Sequence, residues 1–442
     1  MNRTSPTMST NVQELAKAHY LRDLARISPN NIPQWAHRIR ETGAGMFNMA
    51  EFPNTKMEEF RHTQLSAIVN TPYVTASSAT PTEVLPCEIA PWSLGDGSWA
   101  ELVFVNGYFC PALSNRPKSC AIAGAVRDAM LTNHSILEAY LGRYLQDRNA
   151  FTALNSAFLR DGALLHVPRG KKLEAPVHFL FIRTHADAPT AAHLRNLIVL
   201  EENAEASVVA TYLGFPDAAD YFNNIVEEIH VGPNASLKLY KRVHEGPQGK
   251  HLCTAEIHQD RDARLDTGVF TFTGEIVRNQ LCIALAGEGA SASVQALYLN
   301  DGRRTVDNHF DLRHQASHGA SRIFARGVLD GESHAIFRGH VYVAPEAQKT
   351  DSNQLNNNML LSNEARIDTK PQLEIFADDV KCTHGSTTGG PNAETLFYFR
   401  SRGIAETAAR AMLTRAFANA VVDTVPVEPL REALRNHISE RY

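Results

Sequence analysis

The sequence predicts a mainly β fold, a β-solenoid set between an N-terminal and a C-terminal helical region. Three observations carry that prediction. From Ala163 to Cys382 helical periodicity is lost, and short runs rich in Val, Ile, Leu, Phe and Thr alternate with Gly, Asn, Asp and Pro. Small-residue turns recur at Asn203-Ala204, Asn234-Ala235, Asp262-Ala263, Gly289-Ala290 and Gly319-Ala320, 27 to 31 residues apart. Another, Asn363-Glu364-Ala365, follows after a gap of about 45, so a unit of about 15 residues underlies the series. Turns that recur with so little helix between them fit stacked coils better than a sandwich. The third observation is that helical spacing returns at both ends. The chain divides accordingly into a mostly helical 1–160, a β core over 161–390 and a helical 391–442.

The elements follow in order. Residues 11 to about 70 are helical in pattern, with Leu15, His19, Leu21, Leu24 and Ala25 on one stripe and Trp35, Ile39 and Met46 continuing it. The run Leu102 to Phe109 alternates around Asn106-Gly107, the signature of a hairpin. Ser135 reads as an N-cap for a helix through Ile136, Leu137, Tyr140, Leu141 and Tyr144, and Phe151 to Leu159 as a second helix. Strand runs then include Val208 to Leu213, Leu237 to Tyr240, Val269 to Phe272 and Ile336 to Val343. In the tail, Ala393 to Arg402 is a helix stopped by Gly403. A second helix, Ala405 to Val422, carries Ala408, Met412, Leu413, Ala416, Phe417 and Ala420 on one side. Pro426 and Pro429 break it before a last amphipathic piece, Leu430 to Ile438. Such a tail either caps the open end of a solenoid or docks a partner.

Composition narrows the function classes. An apolar share of 43% is ample for a packed core, and a net charge of -5 argues against nucleic acid as the main partner. No run of about 18 apolar residues is present, so no membrane-spanning helix is expected. The N-terminus, Met1 to Met8, lacks the apolar segment of a signal peptide. Six cysteines, Cys87, Cys110, Cys120, Cys253, Cys282 and Cys382, are scattered without framework spacing, as expected for reduced thiols in the cytoplasm.

Several motifs tempt and fail. Gly287 to Ala292 matches G-x-G-x-x-A, but Ser291, Ser293 and Gln295 alternate with Ala292, Val294 and Ala296, which is strand pattern where a dinucleotide site needs a helix. Neither a phosphate-binding G-x-x-x-x-G-K-[ST] nor a G-x-S-x-G elbow occurs. His309, His314, His318, His334 and His340 lie close in sequence and read as hydrogen-bonded or turn histidines. Cys110 and Cys120, flanking a loop with Pro111 and Pro117, read as structural thiols.

The stretch Asp378 to Gly385 is more specific. It follows the alternating Leu373-Glu374-Ile375-Phe376, so Cys382 and His384, two residues apart, project from one strand face. A thiolate beside an imidazole suits iron or zinc. Two donors leave a site that is open, shared with a second chain or only transiently loaded.

A longer text surrounds that pair: Gln348-Lys349-Thr350-Asp351, Gln354, Leu360 to Ala365, Thr369 to Ile375, Asp378 to Gly385, and Leu396 to Ile404. Over Ala347 to Leu413 it resembles the SufB and SufD family of iron–sulfur cluster assembly proteins, with thinner matches upstream at Leu154-Asn155, Asp161-Gly162 and Val167-Pro168. Pro53 to Thr63 is similar to the N-terminal motif of the SufD branch, although Phe60-Arg61-His62 departs from its commoner Trp-Lys-Tyr. The chain is also short for SufB and lacks its N-terminal cysteines.

The resemblance implies a right-handed parallel β-helix between helical regions. It further implies a non-enzymatic scaffold in a complex of SufB, SufD and two copies of the ATPase SufC. In that complex no cofactor is bound stably; a transient iron–sulfur cluster forms at the SufB–SufD interface. By motif, His384 is implied as a ligand of the nascent cluster, with Cys382 as the secondary candidate. Leu396, Phe397, Arg400, Arg402, Leu413 and Phe417 are implied as the SufC-docking surface. Two other readings compete: a SufD-like homodimeric metal-binding module, and a β-helix carbohydrate-active enzyme. The enzyme would need paired carboxylates, which Asp301, Asp307 and Asp311 do not obviously supply.

Overall fold

In the computed structural model, residues 10–26, 32–75, 84–115, 121–132, 134–145 and 149–442 are described. Met1 to Met8 and Cys120 lie outside them. Two ten-stranded sheets face each other, and successive strands from Ala163 onward alternate between them. The first sheet includes Thr190–Leu200, Tyr221–Val231, Gly249–Gln259, Ile276–Leu285, Thr305–His314, His334–Val343 and Arg366–Ile375. The second includes Val177–Arg183, Glu205–Gly214, Ser236–His244, Arg264–Thr273, Ser291–Asn300, Ala320–Leu329, Asp351–Leu360 and Lys381–Gly389. All of these pair in parallel, each with the strand one coil away. The chain is therefore a β-solenoid, as expected, and the unit of about 15 residues is half a coil.

Turn chemistry explains the recurrence. Along one edge Asn203, Asn234, Asp262, Gly289, His318 and Lys349 all have φ between 55° and 71°. Each backbone N–H donates to a carbonyl one coil on, from Asn203 to Pro233 through to Lys349 and Asp379. Gly, Asn and Asp enter this left-handed region most cheaply, which is why the early turns are readable. His318 and Lys349 lack that preference and are held there by the ladder. The turn expected at Gly319-Ala320 is consequently one residue early, at His318-Gly319. Asn363 to Ala365 lies on the opposite edge, between Asp351–Leu360 and Arg366–Ile375, which accounts for its longer gap.

Central strands are buried on both faces. Inside, Val208, Leu239, Val294, Ile323, Phe310 and Phe337 belong to the lumen core. Outside, N-terminal helices Thr10–Ala25, Gln34–Met49 and Ala150–Ala157 cover the first sheet, packing Tyr20, Phe47 and Phe151 with Phe222, Leu252 and Ile276. Leu15, placed by periodicity on the buried stripe, is 65% exposed; Tyr20 holds that place instead. The C-terminal helices Glu406–Val422 and Glu428–Arg441 cover the second sheet, with Val421, Val422, Leu430, Leu434 and Ile438 against Tyr240, Phe270 and Leu297. They lie on the side of the solenoid rather than over its end.

Other local expectations hold with small shifts. The hairpin pairs Phe104 with Phe109 and Val105 with Tyr108 around Asn106 and Gly107, both at positive φ. The short helix Ser135–Tyr140 is capped by His134, whose ring accepts from the Ile136 N–H, and not by Ser135. It stops before Leu141 because Gly142 turns left-handed. Asn149 caps Ala150–Ala157. Gly403 has φ 80° just past Ala393–Ser401, the expected stop. Gly289 is an edge turn before strand Ser291–Asn300, so the G-x-G-x-x-A stretch forms no helix.

Candidate functional site

The last strand, Lys381–Gly389, pairs on one side only, with Asp351–Leu360; its other edge meets no strand among the described residues. Register places Cys382 opposite Ser352 and His384 opposite Gln354, both lumen-facing and buried. Cys382 and His384 thus share the inner face of the final coil. Cys382 is half-buried against the lumen core, whereas His384 is exposed. Burial raises the Cys382 thiol above its ordinary value, so it rests as a neutral thiol. No group of three His, Cys, Asp or Glu side chains able to hold a metal occurs among the described residues. A soft sulfur and an imidazole fit an iron-containing cargo but leave its coordination incomplete.

The neighbouring acids do not join this pair. Asp379 pairs with Lys349, and its N–H donates to Gln348 Oε1 at 3.0 Å, closing the preceding turn. Four of the five clustered histidines are equally committed, and His318 lies in an edge turn. His309 reaches Asp307 at 2.9 Å, His334 reaches Asp368 at 2.7 Å, and His340 reaches Asp311 at 3.0 Å. His314 is buried against Ser321 at 2.9 Å.

The six tail residues separate into two sets. Phe397 is 72% exposed, Arg400 and Arg402 are exposed, and Arg402 stands over the Tyr398 ring at 5.3 Å. Leu396 is buried beneath them. Leu413 and Phe417 are half-buried on the next helix, where Phe417 packs on the second sheet under the Arg326 guanidinium, 4.5 Å from its ring. The face expected from Ala408, Met412 and Ala416 is not the covered one; Ala409, Thr414, Ala418, Val421 and Val422 are buried instead. An alanine-rich helix offers little periodic contrast, and the sheet takes Val421 and Val422 together with the small Ala409 and Ala418.

Sequence reasoning missed a buried ionic cluster on the first sheet. Asp307, fully buried, pairs with Arg278, accepts from Thr63 Oγ1 and meets His309. Phe60 lies 4.3 Å below the Arg278 guanidinium. Nearby, Lys370 meets Glu58 at 2.6 Å and His62 meets Asp368 at 3.3 Å, around a cavity of about 170 Å³. The Phe60-Arg61-His62-Thr63 segment is therefore a clasp holding the N-terminal region to the solenoid. Its sequence signals are the Pro53 to Thr63 motif and charge at strand positions one coil apart, Arg278 and Asp307.

Comparison with known proteins agrees with this architecture. A family model described as SUF system FeS cluster assembly, SufBD core domain, matches residues 181–417. A model of the SufBD protein N-terminal region matches 13–179. An iron–sulfur cluster assembly SufBD family protein of Synechocystis is 31% identical over 91% of this chain and 90% of its own length. The iron–sulfur cluster assembly protein SufD of Escherichia coli is 28% identical over 94% and 97%. SufD of Bacillus subtilis is 26% identical over 67% of each. With matches running through both the helical N-terminal region and the solenoid, the chain belongs to the SufBD family of iron–sulfur cluster assembly proteins.

Proposed function

We propose that this chain is the SufD-type scaffold subunit of a SufB–SufC–SufD complex and contributes to a cluster-forming site at the interface with SufB. The observation that carries this reading is the open last coil. A strand with one free edge presents His384 to solvent and Cys382 beside it, and a parallel edge is completed by another strand, as from a second solenoid. The cluster is cargo, not a resident cofactor. Two donors from this chain need others from the partner, since a stable cluster takes about four protein ligands. An imidazole releases metal more readily than a thiolate, which suits a subunit that hands its cargo on. ATP hydrolysis belongs to SufC, docked on the tail helices, and the complex works in the cytoplasm. None of Cys87, Cys110, Cys253, Cys282 and Cys382 is in a disulfide among the described residues, in keeping with a reducing compartment. The free edge equally permits a homodimer when the chain is isolated.

The test is reconstitution. The native protein should co-purify with SufB and SufC. His384→Ala should leave assembly of the subunits intact and impair cluster formation, with Cys382→Ala less harmful. One stable cluster per isolated monomer, or full cluster formation by His384→Ala, would rule the reading out.

A further inference from the structure

One lumen column ends in a polar residue beneath the last coil. Val294, Ile323, Gln354 and His384 are register partners in four successive coils of the second sheet. Val294 and Ile323 are aliphatic, and the next residue in the column is an amide directly under His384. Gln354 has polar neighbours on its own strand, but they are satisfied. Ser352 Oγ meets Ser321 Oγ at 2.8 Å, Asn356 donates to Tyr298 Oη at 2.9 Å, and Asn358 donates to Asn356 Oδ1 at 2.8 Å. Gln354 is 1% exposed and neither Oε1 nor Nε2 has a partner. Among the described residues it is the one buried side-chain amide with both atoms orphaned.

Its placement is enforced from across the lumen. Gly339, on the first sheet, lies so close that a Cβ there would sit 1.6 Å from Gln354 Oε1. A glycine at 339 therefore makes room for an amide that spans the lumen at the floor of the open coil. Leaving such a group unpaired costs about 1–3 kcal/mol, and an aliphatic side chain like Ile323 would fill the same space without that cost. Adjacent coils are about 4.8 Å apart, so the amide lies one rung from His384.

We propose that Gln354 is a hydrogen-bond donor to the cargo: its Nε2–H reaches a sulfide of the iron–sulfur unit held at His384. The inference rests on the reading of His384 as a cargo ligand. Hydrogen bonds to cluster sulfur stabilise the reduced, more negative state and raise the reduction potential. Gln354 thus orients the cargo and sets its potential without supplying a metal ligand.

The experiment uses the whole complex with its partner scaffold and ATPase subunits, charged anaerobically with ferrous iron and sulfide. Gln354→Met should leave the melting temperature unchanged or higher, because an unpaired amide is removed. It should also speed cluster loss to a chelator about tenfold, the worth of one hydrogen bond to a charged group, and move the reduction potential to more negative values. Gln354→Asn keeps an amide too short to span the lumen and should do the same, which covers a failure of the Met variant to fold. Wild-type chelator rates and potential in either folded variant would overturn the proposal, as would a lower melting temperature with an unshifted potential. A wild-type complex that takes up no cluster, or a His384→Ala complex that holds it equally well, would instead remove the His384 reading and this inference with it.

Discussion

Asp307 is fully buried beneath the N-terminal segment, on the outer face of a strand that sequence reading treats as plain β. Burial opposes its charge, yet the Arg278 guanidinium and His309 hold its carboxyl well below the usual carboxylate range. Removing one partner of such a pair strands the other. Asp307→Ala should therefore cost about 3–5 kcal/mol, read as a lowered urea midpoint. Thr63→Val, which removes one hydrogen bond to the carboxylate, should cost about 1.5–3 kcal/mol. Equal midpoints for wild type and Asp307→Ala would show that the clasp contributes nothing. The sequence displays Phe60 to Thr63 as a motif, but its role as a clasp depends on a residue 244 positions away from Thr63.

At the scale of elements, the tail divides its labour. The helices Glu406–Val422 and Glu428–Arg441 bury the outer face of the second sheet, while Ala393–Ser401 leaves Phe397 and Tyr398 in solvent. Large exposed aromatics beside Arg400 and Arg402 form the part of the tail free to meet a partner. Phe397→Asp should abolish retention of SufC on the complex and leave the melting temperature unchanged. Phe417→Ala should instead lower the melting temperature, since its ring packs on the second sheet against the Arg326 guanidinium. Normal SufC retention by Phe397→Asp would exclude that helix as the docking surface. Truncation after Gly390 is a poor test, because it strips the cover from Tyr240, Phe270 and Leu297 and invites aggregation. The amphipathic character of this tail is legible in sequence. Which side faces the sheet is not, because Ala408 and Ala409 are equivalent until a neighbour exists.

For the whole molecule, buried histidines set the acid limit. Burial lowers His314 to about 4, His437 to about 4 and His193 to about 3. Each is neutral when folded and takes up a proton more readily when unfolded, where its pKa is about 6.5. Their contribution is therefore intact above about pH 6.5 and is lost progressively as pH falls toward the folded values. His340 runs the other way, because its hydrogen bond to Asp311 raises its pKa, and that stability fades as pH rises. Burial lowers His230 and His244 in the same way, so the lowered histidines outweigh the raised one and the melting temperature should fall as pH is lowered from about 6.5 to about 4. His314→Asn, which cannot take up the proton, should flatten part of that slope. A melting temperature constant over this interval would show that the histidines are exposed.

What the sequence determined by itself was local: a period of two broken by Asn, Asp and Gly turns, helical spacing at both ends, and a thiol and an imidazole on one strand. Each follows from the preference of a residue and its near neighbours. Coil stacking then overrode local preference, forcing His318 and Lys349 into left-handed turns beside Asn203 and Asn234. Only the tertiary structure decided which faces are covered, that the final coil stays open, and that Gln354 is stranded between Gly339 and His384. Those outcomes depend on contacts between coils, and a side chain's periodicity specifies its direction without specifying what it meets.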